Sequence, residues 1–171
     1  SDVCSSDLLK LGKVYPESLT VANIGTIKTF VRVTVYKYWL DKDGNKVMTL
    51  SPELIDLNFI NNEDWVQSTE SGSPERTVLY YRYALEPNEI SKPLTDTLRI
   101  DESLQDLAHE SRITNSEGRT VITVTYDYDG YSFVVEAQAD GVQTHNAADA
   151  IHSAWGAEVS ISDNGTLSLK E

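Results

Sequence analysis

A chain of 171 residues, 40% hydrophobic and 24% charged, suits one globular domain with a substantial core and excludes wholesale disorder. With 27 acidic against 14 basic residues its formal net charge is -13, which repels phosphate backbones and anionic lipid surfaces and argues against nucleic acid as a partner. No stretch is apolar for long enough to insert in a membrane, and the single Cys4 rules out an internal disulfide framework and a cysteine zinc site.

Residues 1–8 carry that cysteine and follow neither strand nor helix period, so they read as a truncation scar or a sequence-assembly artefact, with the native start and its export signal expected upstream, and Cys4 is given no role. From Leu9 the chain is a succession of strands punctuated by turns. Residues 18–22 form a strand with Leu19 and Val21 on one face, and Asn23-Ile24-Gly25 turns it. The strongest strand covers residues 29–40, where Val31, Val33 and Val35 alternate with Arg32 and Thr34, one face dry and one wet. Asp41-Lys42-Asp43-Gly44-Asn45 closes a hairpin that returns through residues 46–50.

Ser51-Pro52-Glu53 has the residue types of a helix start, but Ile55, Leu57 and Phe59 alternate with Asp56 and Asn58, which favours a strand. A polar loop over residues 68–76 leads to a tyrosine-rich strand over 77–85, and a further strand covers 94–100. Residues 101–110 are helical by propensity. Strands over 120–126 and 132–139 flank a turn at Asp127-Tyr128-Asp129-Gly130. Asn146 caps a short helix over 147–155 that Gly156 ends, and a terminal hairpin pairs Val159 and Ile161 with Leu167 and Leu169. Nine or ten strands with one or two short helices predict an all-β fold, a two-layer, jelly-roll-like β-sandwich. Residues 14–171 make one domain, preceded by an N-terminal segment over 1–13.

No catalytic constellation emerges. His109, His145 and His152 lack metalloprotease spacing, and Asn146 leaves His145 outside the helix that carries His152. No nucleophile elbow and no glycine-rich phosphate loop occur, and 27 acids make chance carboxylate pairs inevitable. The expectation is a protein without enzyme activity, cofactor or resident metal. Calcium is the one ion such an acidic domain invites, with Asp127, Asp129 and Asp140 as its candidate ligands. Asp41-Lys42-Asp43-Gly44-Asn45 fails as a calcium loop because its glycine stands fourth and Pro52 twelfth. Tyr36, Tyr38, Tyr81, Tyr83, Tyr126 and Tyr128 are candidates for an aromatic contact face, suited to glycan stacking or a subunit interface; tyrosine packing within strands is the plainer account of them.

The order of short motifs is distinctive. Pro16-Glu17-Ser18 leads to Val21-Ala22-Asn23-Ile24-Gly25, then Phe30-Val31-Arg32-Val33, Trp65, Leu79-Tyr80-Tyr81-Arg82 and Leu85-Glu86-Pro87. Glu136-Ala137-Gln138-Ala139 follows, with Gln143 and residues 150–155 behind it. In that order, over residues 13–155, the chain resembles the TasA/camelysin family of exported Gram-positive surface and biofilm-matrix proteins. The resemblance implies an extracellular jelly-roll-like domain at the cell surface or in the matrix. Its partners would be further copies of itself, with other matrix components beside them, in fibres where an N-terminal segment of one subunit completes the sheet of the next. Leu8, Leu9, Leu11 and Val14 are the candidate donor side chains. Residues 157–171 run past the point where the resemblance fades, and the metalloprotease activity described for camelysins finds no ligands here. The alternative to a fibre subunit is a monomeric cell-surface binding module, a glycan binder or adhesin using the tyrosine clusters.

Overall fold

A computed structural model describes residues 12–69, 73–101, 120–125 and 132–170. The fold is an all-β sandwich with one short α-helix among these residues. Its centre is β2 (Thr29–Leu40), which the alternation of residues 29–40 predicts end to end. β2 pairs antiparallel with β5 (Arg76–Tyr81) on one side and β8 (Ser132–Gln143) on the other. β4 (Trp65–Gln67) and β7 (Thr120–Thr125) complete a five-stranded sheet in the order β4-β5-β2-β8-β7. The second sheet runs β1-β6-β3, with β1 (Tyr15–Pro16), β6 (Thr95–Ile100) and β3 (Ile55–Phe59).

The core between the sheets follows from strand alternation. Val31, Val33, Val35, Leu79, Phe133 and Val135 from the larger sheet meet Ile55, Leu57, Leu98 and Ile100 from the smaller, all buried. Trp39 sits edge-on to Phe133 at 5.5 Å and donates its indole N–H to Ser51 O. Lys37 also points to this side, and its Nζ reaches Ile55 O at 2.8 Å, a polar tie between the two sheets.

The opposite face of the larger sheet is apolar at one end, where Phe30, Val78, Tyr80 and Val142 form a second core. It is covered by α1 (Ala147–Trp155) and by a hairpin of β9 (Val159–Ile161) and β10 (Leu167–Leu169). Ile151 and Leu167 fill this space, Trp155 lies 5.8 Å from Tyr80, and Leu167 N donates to Arg82 O. The helix and the C-terminal hairpin are thus a lid over the sheet's outer face. Gly156 ends α1 in the left-handed region as expected, at φ 70°. Asn146 is also left-handed and its side chain makes no capping bond; its carbonyl accepts from Ala150 N instead.

Several boundaries differ from the sequence reading, among them the strand expected over 132–139, which runs on to Gln143. The strand expected over 18–22 is instead a long edge segment: residues 12–23 run antiparallel to 89–100, from Gly12 N→Ile100 O to Asn23 N→Glu89 O, and only Tyr15–Pro16 is regular strand. Leu19 N and Val21 N turn to the hydroxyls of Thr95 and Ser91, so side chains substitute for ladder acceptors there. The return strand over 46–50 shrinks to a Leu40–Lys46 bridge and a Val47 N→Trp39 O bond. The tyrosine-rich strand stops at Tyr81, because Arg82 N is taken by Asp64 O and Tyr83 bridges to Thr166. Ser51-Pro52-Glu53 gives both readings at once, a 3-10 turn capped by Ser51 and then β3. The expected helix over 101–110 and the turn at 127–130 lie outside the described residues, apart from Asp101.

Candidate functional site

The sandwich has two ends. The start of β2, the end of β8 and the loops around Asn23 and Leu85 make one, called the top here; Leu40, Ile55, Ile100 and Gly12 make the other. Two motifs far apart in sequence meet at the top. Asn23 is buried, its Nδ2 donates to Ile27 O and to Leu85 O, and its Oδ1 accepts from Gly25 N. Asn88 N donates to Asn23 O, while Thr29 and Leu85 exchange backbone bonds. The Asn-x-Gly turn and the Leu-Glu-Pro turn are therefore one fixed structure.

A polar-aromatic cluster lies beside it. Trp65 packs on Tyr81 at 4.7 Å, Tyr83 stands edge-on to Tyr81 at 5.5 Å, and Trp65 Nε1 donates to Lys92 O. Lys92 Nζ donates to the Asp64 carboxylate at 3.2 Å. Hydrogen bonding to that carboxylate raises the pKa of both Tyr83 and Lys92. The cluster clamps β4 to the approach of β6.

The candidate tyrosines do not share one face. Tyr36 and Tyr38 lie half-buried on the outer face of β2, with Lys46 Nζ 5.2 Å from the Tyr38 ring centre. Tyr81 belongs to the core between the sheets and its hydroxyl accepts from Lys92 N, so it is removed from any contact surface. Tyr83 is exposed at the top. Tyr126 and Tyr128 lie outside the described residues. Tyr83 instead joins Lys28, Phe30, Thr144 and Asn164 around a shallow groove of about 270 Å³.

The metal candidates are dispersed. Among the described residues no three His, Cys, Asp or Glu side chains gather into a metal site. Asp140 pairs with Arg32 at 2.8 Å, and Asp41 Oδ1 accepts from Asp43 N and Asn45 N in a plain turn, with Gly44 at φ 81°. Asp127, Asp129 and His109 lie outside the described residues. His145 and His152 are exposed, and His152 Nδ1 pairs with Glu158 at 2.8 Å.

The sheet edges give a clearer signal. β8 has twelve residues, and the described strand β7 pairs with Ser132 to Ala137 of it. Among the described residues, positions 138–143 have a ladder partner on the β2 side alone. Ala139 stands opposite Val33 and Gly141 opposite Val31, so both face the core side, yet both are exposed. This exposed end of β8, with Ala139 and Gly141 beside the buried Val33 and Val31 of β2, is called the notch here. Three edges are defended: Pro16 stands in β1, β4 has three residues, and β3 carries Asp56 and a register shift at Asn58/Phe59.

The candidate donor residues lie elsewhere. Gly12 emerges at the bottom, Val14 is exposed on a segment that already pairs with its own β6, and Leu8, Leu9 and Leu11 lie outside the described residues. Sequence reasoning passed over the notch, although Ala137, Ala139 and Gly141 alternating with polar residues was its visible trace.

The comparisons name no relative. No protein-family model, curated protein or solved structure matches the chain. Within the described residues no helix is long and apolar enough to cross a membrane.

Proposed function

We propose that the protein is a structural subunit of an extracellular fibre or biofilm matrix, assembling head-to-tail by β-strand donation. The carrying observation is the top end of β8, where Ala139 and Gly141 face the core side and yet are exposed. An added strand there would cover both positions, one of the gains that drive strand addition. The donor is the segment before Gly12 of another copy, with Leu8, Leu9 and Leu11 supplying apolar side chains. Donor and notch sit at opposite ends of the molecule, so each union leaves a new notch and a new donor, and growth does not close. The motif order that resembles the TasA/camelysin family supports the same reading, including the extracellular location.

Negative-stain microscopy of purified protein tests it, with two variants. One lacks residues 1–11; the other is Gly141→Val, which fills the notch. A Cβ at Gly141 meets nothing nearer than 3.7 Å, and a thermal melt of the variant checks that the two γ-methyls are accommodated. The expected outcome is filaments from the parent chain and monomers from both variants. Filaments of normal length from the Gly141→Val protein would remove the notch from the mechanism. A parent chain that stays monomeric at high concentration would move the reading to a binding module centred on the Tyr83 groove.

A further inference from the structure

We infer that the exposed isoleucines at the top, Ile24, Ile27 and Ile90, form the axial contact that seats the bottom end of a second copy of this chain. The inference rests on the head-to-tail reading above and supplies its second half, the end-on surface beside the exchanged strand.

The first observation is where apolar surface lies. Among the described residues six large hydrophobic side chains are exposed: Val14 55%, Ile24 92%, Ile27 56%, Met48 87%, Tyr83 41% and Ile90 61%. All six belong to an end. Ile24, Ile27, Tyr83 and Ile90 are at the top, near the start of β2, while Met48 and Val14 are at the bottom, by Leu40 and Ile100. None projects from the sandwich flanks. Four of the six gather at the top, and a cluster of exposed apolar side chains is what marks a contact surface.

The second observation is that the tip is held in place. The Ala22–Ile90 bridge and the Asn23 N→Glu89 O bond join the two loops that carry the isoleucines. Asn23 spans Ile27 and Leu85, and Lys28 pairs with Glu86 at 3.3 Å. Little ordering is left for association to require.

The third observation decides the occupant. The chain from Gly12 to Asn23 follows the length of the smaller sheet, so eleven steps of ~3.3 Å put the tip about 36 Å from Gly12. Val14 and Met48 at the bottom end therefore cannot cover the tip of their own copy, whereas a second copy stacked in the same direction brings its Gly12 end, its Val14 and its Met48 to it. A lipid surface is disfavoured, because Glu86 and Glu89 flank the tip, Lys28 is paired with Glu86, and the net charge is -13.

The test compares pelleting of the parent chain with that of Ile24→Lys/Ile90→Lys, whose sites are exposed enough for the monomer to melt normally. The expected result is that the double variant needs about tenfold more protein to form filaments. Filaments at the parent concentration would overturn the tip contact and leave strand donation standing. Cross-linking reads the contact separately: Met48→Cys and Ile90→Cys chains, both with Cys4→Ser and lacking residues 1–11, are mixed and oxidised. Disulfide-linked mixed dimers uphold the tip even if strand donation fails, and only unlinked monomers overturn it.

Discussion

Asn23 illustrates how much one side chain carries. Its amide donates to two carbonyls, one of them 62 residues away, and its Oδ1 closes the turn at Gly25. Asn23→Ala strands these buried groups and should lower stability by about 2–4 kcal/mol in urea denaturation, since each unsatisfied group costs ~1–3 kcal/mol. Glu17 works in the other direction. It is buried, and loss of water raises its pKa above the ordinary carboxylate value. The folded state then holds this proton more tightly than the unfolded chain. The contribution is full below the ordinary carboxylate pKa and lost as pH rises through the raised one. Glu17→Gln should therefore melt higher than the parent at pH 7, with the gain shrinking towards pH 4. An Asn-x-Gly turn is visible in the sequence, but the reach of Asn23 to Leu85 is not, because nothing local encodes a contact across 62 residues.

At the scale of elements, alternation proved a reliable guide where one face is dry. β2 appears over the residues that its Val-x-Val-x-Val pattern marks, and the terminal hairpin falls where Ser162-Asp163-Asn164-Gly165 breaks the apolar run. It misled where hydrogen bonding is irregular. Leu19 is buried as a strand residue should be, yet its N–H bonds Thr95 Oγ1 rather than a ladder carbonyl. The helix is legible by its Gly156 stop, but its purpose is tertiary. α1 is short for an isolated helix and holds its place by inserting Ile151 into the second core. Ile151→Ala should cost about 2–5 kcal/mol, the range for emptying a fully buried aliphatic site, measured by thermal or chemical unfolding. A comparable loss from Ala154→Ser, on the exposed face, would contradict that account.

At the scale of the whole molecule, the ends matter more than the faces. Both faces of the central strand are occupied at the top, one by the smaller sheet and one by the lid of α1 and the β9–β10 hairpin. Ala139 and Gly141 of the larger sheet stand exposed on its core side, and apolar side chains among the described residues are exposed at the two poles. Under the proposed reading these end surfaces are where one subunit would meet the next. The sequence by itself determined the acidic character, the all-β class and most strand positions, because charge, β-branched content and period-two alternation are local properties. Tertiary structure alone decided that Tyr81 is core, that residues 12–23 line an edge, that the C-terminal residues form a lid and that Ala139 and Gly141 stand exposed. Each of these depends on which strand neighbours which, and pairing between distant segments is set by the packing of the whole sheet rather than by any run of residues within it.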